Sequence, residues 1–87
     1  MNISEYIPTR DTGRSITAKE LSALTGKKEA YIRKLINEER ANGIPICSTT
    51  RGYHLSNDDE DVQSTINFLK RRVNTQMRAI LGLMGRR

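Results

Sequence analysis

The chain carries little with which to do covalent chemistry. Cys47 is its one cysteine and His54 its one histidine among 87 residues. A single thiol makes no intrachain disulfide and no cysteine-based zinc site. Nothing near Cys47 in sequence supplies an activating partner, so it reads as a small strand residue and not a nucleophile. His54 has no second ligand at metal-binding spacing and is expected to face solvent from a strand. The acids Asp58, Asp59, Glu60 and Asp61 lack the spacing and glycine of a calcium loop. No catalytic role, metal, cofactor or small-molecule substrate is expected, and the chain is not read as an enzyme.

Apolar material is also sparse. Tryptophan is absent, phenylalanine occurs once, tyrosine three times, and hydrophobic residues make up 36% of the chain. No apolar run approaches the roughly 20 residues of a membrane span. Glu5 and Pro8 interrupt the apolar cluster at the N-terminus, so no signal peptide is expected. These absences point to a cytoplasmic protein of one small domain, without room for both a substrate pocket and a separate binding module.

What the chain does have is positive charge, +5 in total, from 15 Lys and Arg against 10 Asp and Glu. The distribution is uneven. Residues 1–56 are modestly basic, positions 58–61 are all acidic, and residues 62–87 hold six cations and no acid. Clustered cations favour a polyanionic partner, because they displace the counterions condensed on it.

Local signals divide residues 1–56 into short elements and leave 57–87 as one long helix. Ile3, Tyr6 and Ile7 share a face of a short helix, capped by Asn2 with Glu5 and stopped by Pro8. Thr9 to Ser15, with Gly13, is a loop. Thr17-Ala18-Lys19-Glu20 matches a capping box, and Ile16 and Leu21 hold the two positions of a hydrophobic staple. A helix from Ala18 to about Leu24 follows, burying Leu21 and Leu24, and Gly26 ends it. A second helix runs from about Lys28 to Asn42 with Ile32, Leu35 and Ile36 inward and Gly43 at its end. Ile44 to Thr49 and Tyr53 to Leu55 are β-prone runs around Thr50-Arg51-Gly52, a hairpin with Arg51 at its tip. Ile44, Ile46, Tyr53 and Leu55 are expected to face inward. The last helix spans Asp58 to Leu83, capped by Asn57 with Glu60. The acidic run suits the positive end of its dipole, and Val62, Ile66, Leu69, Val73, Met77, Ile80 and Met84 form one apolar stripe.

The fold class expected is mainly α with a small β-hairpin. The order of elements resembles a winged helix-turn-helix, most closely the N-terminal DNA-binding domain of the biotin operon repressor type. The likeness covers roughly residues 14–56. It rests on Ser15-Ile16-Thr17-Ala18-Lys19-Glu20-Leu21, Leu24-Thr25-Gly26, Ile32-Arg33-Lys34-Leu35, Gly43-Ile44-Pro45-Ile46 and Arg51-Gly52-Tyr53-His54-Leu55. Small bacteriophage regulatory or replication proteins with a winged helix and one long helix are similar in layout. The chain departs from the repressor type in its short first helix and in Lys28, where Ser or Asp commonly caps. The ligase domain is missing, so neither biotin binding nor ligase activity carries over.

This resemblance implies binding to double-stranded DNA, as in a bacterial or phage transcriptional regulator, with the helix at 28–42 reading the major groove and a wing at about 46–55. With Ile32, Leu35 and Ile36 inward, Ala30, Lys34, Asn37 and Ala41 point outward, flanked by Tyr31 and Arg33. Small Ala30 permits close approach, Arg33 and Lys34 suit guanine or phosphate, and Asn37 suits adenine. Lys27 and Lys28 stand at the helix N-terminus, where backbone amides also favour a phosphate. Arg51 reaches a minor groove or flanking phosphate, and Arg10 and Arg14 add backbone contacts. Glu29, Glu38 and Glu39 favour a different reading, a merely solvated face. The long stripe calls for a cover. Either two copies pair into a homodimer through it, reading half-sites about 34 Å apart in an inverted repeat, or the helix folds back onto the N-terminal helix and Tyr6. A protein-interaction module, or a replication or packaging accessory, is the alternative function for the same fold.

Overall fold

The computed structural model describes residues 2–85; Arg86 and Arg87, part of the basic C-terminal stretch, lie outside them. The described chain is mainly helical. Helices α1 (Ala18–Thr25) and α2 (Glu29–Ala41) precede an antiparallel hairpin of β1 (Ile46–Thr49) and β2 (Gly52–Leu55), and α3 (Asp59–Met84) follows.

The capping box forms as expected. The Glu20 amide donates to Thr17 Oγ1 and the Thr17 amide donates to Glu20 Oε1, each at 3.1 Å. Two orphan donors of α1 are thereby satisfied, a cap worth about 1 kcal/mol. Gly26 closes the helix at φ 72°. From α1, Ala18 and Leu21 enter the core, but Leu24 is 64% exposed. The expectation for Leu24 fails because the core is small. Ala18 and Leu21 complete its α1 side, and the last turn of the helix lies beyond it.

The core gathers Ile3, Ile7, Leu21, Ile32, Ile36 and Ile46, with Ile16, Leu35, Ile44, Tyr53 and Leu55 packed at its edge. Helix α2 supplies Ile32 and Ile36, as its periodicity requires. Its third inward residue is Glu39, which is buried. The N-terminal segment explains this. Ile3–Tyr6 forms a single 3₁₀ turn, too short to satisfy its own amides, and Asn2 makes no side-chain cap. Glu39 takes that role from a distance. Its Oε2 accepts from the Ile3 amide at 2.6 Å and its Oε1 from the Ser4 amide at 3.0 Å. Ile3 and Ile7 are thus held inside, while Tyr6, expected on the same face, is 42% exposed.

The hairpin pairs Ile46 with Leu55 and Thr49 with Gly52. It is widened by the chain before α1, where Ile16 and Tyr53 exchange both backbone hydrogen bonds, at 2.9 and 2.7 Å. Gly52 is what allows this approach. Its φ is 128°, and a Cβ there would stand 2.5 Å from the Ile16 carbonyl oxygen. The inward face of the hairpin carries Ile46 against the helices, as expected, but its other face is covered too. Cys47 and His54 are both buried. His54 therefore does not face solvent. The first three turns of α3 lie over that face, with the Ser48 amide donating to Thr65 Oγ1 at 3.2 Å and His54 Nε2 3.5 Å from Asp61 Oδ2.

Helix α3 starts one residue later than expected, because Asp58 and not Asn57 caps it. Asp58 Oδ1 accepts from the amides of Glu60 and Asp61 at 3.0 and 3.3 Å. Thr65 is buried, and Val62 and Leu69 are half-buried. Beyond Lys70 every described residue of the helix is exposed. The helix packs on β1 and does not fold back onto Tyr6. At 1.5 Å per residue its 26 residues reach about 39 Å, and much of that length projects past the core.

Candidate nucleic-acid interface

Turning Ile32, Ile36 and Glu39 inward leaves the opposite side of α2 to solvent. Ala30, Tyr31, Arg33, Lys34, Asn37 and Glu38 are all exposed, and so are Lys27 and Lys28 just ahead of the helix. Lys28 occupies the N-cap position without a side-chain hydrogen bond to the helix. The ammonium of Lys27 lies 5.9 Å from the centre of the Tyr31 ring. These eight side chains make one surface, because residues three and four apart on a helix are neighbours.

The acids on this helix do not all share that surface. Glu39 is withdrawn into the core to hold the N-terminal turn. Glu29 pairs with Arg33 at 3.3 Å one helical turn along. Such an exposed pair is worth about 0.3–0.5 kcal/mol, little enough to be exchanged for another anion. Glu38 is the acid left unaccounted for on the outer side.

One flank of this face opens into a cleft of about 270 Å³ between α2, the hairpin and α3. Arg33, Arg40 and Arg72 border it with Thr49 and Thr50. Arg40 is half-buried. Its Nε donates to the Ile46 carbonyl at 2.8 Å, its Nη2 donates to Ser48 Oγ at 2.6 Å, and its guanidinium lies 5.8 Å from the Tyr53 ring centre. Burial pulls the pKa of Arg40 below its ordinary value, the nearby Tyr53 and Cys47 oppose this, and Arg72 adds to it. Two guanidiniums facing one cleft repel each other, and an anion between them relieves the repulsion. Arg72 itself lies over the Phe68 ring at 5.9 Å.

Arg51, in the two-residue turn of the hairpin, is exposed and borders a separate recess with Arg14, Thr49 and Thr50. The structure thus sets Arg33 and Arg51 on two recesses that meet at Thr49 and Thr50, by the turn of the hairpin, with Arg14 on the side of Arg51. Arg10 is not free in the same way. Its guanidinium binds Asp58 at 2.9 Å and Asp61 at 3.1 Å, clamping the loop before α1 onto the start of α3. Asp61 also accepts from Ser56 Oγ at 2.8 Å. That bond, with smaller help from His54 and Arg10, holds its carboxyl below the usual range. The acidic run at 58–61 is therefore a cap and a clamp.

Arg40 and Arg72 were the residues hidden from sequence reasoning. Arg40 falls beside the inward stripe of α2 and looks like a boundary residue. Arg72 reaches the cleft only because α3 lies across β1, which no local pattern encodes. Cys47 is enclosed, and burial pushes its thiol up. Among the described residues no group of three His, Cys, Asp or Glu side chains is placed to share a metal ion, and no helix is long and apolar enough to cross a membrane. The chain matches no family model, no curated protein and no solved structure.

Proposed function

We propose that this protein binds double-stranded DNA as a winged helix-turn-helix, with α2 as the recognition helix and the β1–β2 hairpin as a short wing. The observation that carries the reading is the outward face of α2. Small and amide side chains, Ala30 and Asn37, lie among Lys27, Lys28, Arg33 and Lys34, while Glu39 is drawn inside. A helix can enter the major groove only where its outer side chains allow close approach. Its cations and amide must then meet base edges and phosphates.

Three further features support it. Helices α1 and α2 are joined by Gly26-Lys27-Lys28, the short glycine-containing turn of a helix-turn-helix. The hairpin is joined by the Ile16 segment into a small three-stranded edge, as a wing needs for rigidity. The cleft bordered by Arg33 and Arg72 continues the positive surface from α2 onto α3. In this reading Arg33, Lys34 and Asn37 contact bases, Lys27, Lys28 and Arg72 contact phosphates, and Arg51 with Arg14 flanks the site. A regulator of transcription and a replication or packaging accessory would use the same surface.

The test is selection from a pool of random duplex DNA, followed by titration of the enriched sequence across salt concentrations. An enriched site is expected, with affinity falling linearly in log salt. Arg33→Ala and Asn37→Ala should each cost roughly 1–3 kcal/mol at one base position, whereas Lys28→Ala should weaken all sequences alike. No enrichment, with equal losses from all three variants, would overturn the proposal in favour of a protein partner.

A further inference from the structure

The apolar stripe of α3 has a property that its composition does not require. Its seven members are spaced 4, 3, 4, 4, 3 and 4 residues apart, the same read in either direction from Val73. Turning a second copy of the helix end for end about Val73 therefore sets Val62 against Met84, Ile66 against Ile80, Leu69 against Met77, and Val73 against itself. We propose that two chains associate through α3 as an antiparallel pair with its twofold axis at Val73.

Three observations on the structure carry this. First, the stripe is uncovered where the partner would lie. Ile66 is 39% exposed, Val73 59%, Met77 and Ile80 50%, and Met84 76%. With Leu81 and Leu83 beside them, the exposed area is on the order of 700 Å², close to the roughly 800 Å² per partner of a standard stable interface. That exceeds the few hundred Å² of contiguous apolar surface a monomer ordinarily shows.

Second, the near end of the stripe runs into an open apolar groove of about 290 Å³ lined by Ile44, Pro45, Ile46, Val62, Ile66 and Leu69. The register sets the partner's Ile80 and Met84 opposite Ile66 and Val62, so the far end of each helix covers the groove of the other. Each body then shields the far end of its partner's stripe, which the partner's own body leaves bare.

Third, charge selects the direction. Between Val62 and Gly85 the helix holds Lys70, Arg71, Arg72 and Arg78 and no acid. A parallel, in-register pair stacks the cations at 70–72 against the same cations of its copy. The antiparallel register sets them opposite the uncharged Asn74, Thr75 and Gln76. Opposite charges are not needed, because like charges are simply kept apart.

The pairing does not depend on DNA. If the DNA reading also holds, the two Thr65 positions, where each helix sits on its own β1, fall about 24 Å apart along the pair. Bodies mounted outward of those points suit half-sites about one helical turn apart.

Sedimentation equilibrium without DNA tests the association, and cysteine cross-linking tests its direction. In a Cys47→Ser background, Val73→Cys should be joined to its copy by a short bismaleimide. Ile66→Cys alone should not, since its two copies lie about 21 Å apart. A mixture of Ile66→Cys and Ile80→Cys chains should cross-link. Val73→Glu with Ile80→Glu should give a folded monomer, because both positions are exposed on the single chain. Its unfolding midpoint should no longer depend on protein concentration, because association no longer stabilises the folded state. A monomer at tens of micromolar for the unaltered chain overturns the pairing. Self-linking by Ile66→Cys overturns the antiparallel direction. If the glutamate variant still binds a single half-site, the DNA reading stands whatever becomes of the dimer.

Discussion

Replacing Glu39 by alanine removes the side chain whose hydrogen bonds tie the N-terminal turn to α2. Its two oxygens accept from the Ile3 amide at 2.6 Å and the Ser4 amide at 3.0 Å, the first of them a buried bond. A hydrogen bond to a charged group contributes about 1.5–3 kcal/mol net, and a buried amide left unpaired costs about 1–3 kcal/mol. Against this stands the relief of no longer burying a carboxylate, so a loss of about 3 kcal/mol is expected. For a domain of this size that is a large part of a total stability of roughly 4–13 kcal/mol. With an m-value near 1 kcal/mol/M, the urea midpoint should fall by roughly 2–3 M. Glu39→Gln keeps one acceptor but turns an amide donor toward the other N–H, and should fall between. The exposed neighbour supplies the control, since Glu38→Ala should stay within about 0.5 kcal/mol. Hydrogen exchange locates the effect. The Ile3 and Ser4 amides should lose protection first, and the core of α2 should lose it only with global unfolding. A Glu39→Ala change below about 0.5 kcal/mol, or Ile3 and Ser4 amides as protected as before, would refute the reasoning. In DNA binding the two acids should separate again. Glu38→Ala should tighten binding by removing a like charge from the outer side, and Glu39→Gln should leave the affinity of the folded protein unchanged.

Three other outcomes follow from the same structure. Gly52→Ala should destabilise by at least about 2 kcal/mol in urea unfolding, since its φ of 128° suits only glycine and its Cβ would meet the Ile16 carbonyl at 2.5 Å; a neutral result would mean the Ile16–Tyr53 pairing is dispensable. Asp61 has a folded pKa below its unfolded value, so it adds stability above about pH 4 that is lost as pH falls through the folded pKa. Asp61→Asn should therefore flatten the acid limb of stability against pH, and an unchanged limb would place that dependence on other carboxylates. Arg72→Ala should weaken DNA binding by a similar factor for every sequence and reduce the log–log salt slope by about 1; an unchanged slope would remove α3 from the DNA surface.

Much of the fold was legible because local rules and packing agreed. The capping box at Thr17–Glu20, the glycines after each of the first two helices, and the inward spacing of Ile32 and Ile36 all have local physical causes. What could not be read was whatever depends on a neighbour distant in sequence. Glu39 looks like an ordinary exposed acid until the N-terminal turn arrives with two unsatisfied amides. His54 alternates with Tyr53 and Leu55 and so reads as outward, but α3 covers that side with Asp61 and Thr65. Leu24 keeps helical phase with Leu21, and phase carries no information on where a small core ends. The outward side chains of α2 were legible from period alone, since fixing its inner stripe fixes its outer one. Arg72 in the cleft was not, because its place depends on how α3 crosses the hairpin.

Helix α3 performs two different physical tasks along one uninterrupted length. From Asp58 to Leu69 it completes the body. Its cap and Asp61 receive Arg10 and Ser56, and Thr65 satisfies the Ser48 amide on a strand whose other face is already packed. Without those turns Cys47 and His54 would stand in water, and the small sheet of β1, β2 and the Ile16 segment would have only one covered face. Beyond Arg72, which still borders the cleft, every described residue of the helix is exposed, yet it keeps the same apolar period without a break. An isolated helical extension with half its surface apolar is poorly stabilised in water, because most helical stability in proteins comes from packing an amphipathic face. Solvation alone would favour polar residues at Val73, Met77, Ile80 and Met84. Retaining the stripe where the body cannot reach it therefore makes sense only if something else covers it. A stripe spaced symmetrically about its own midpoint is best covered by itself.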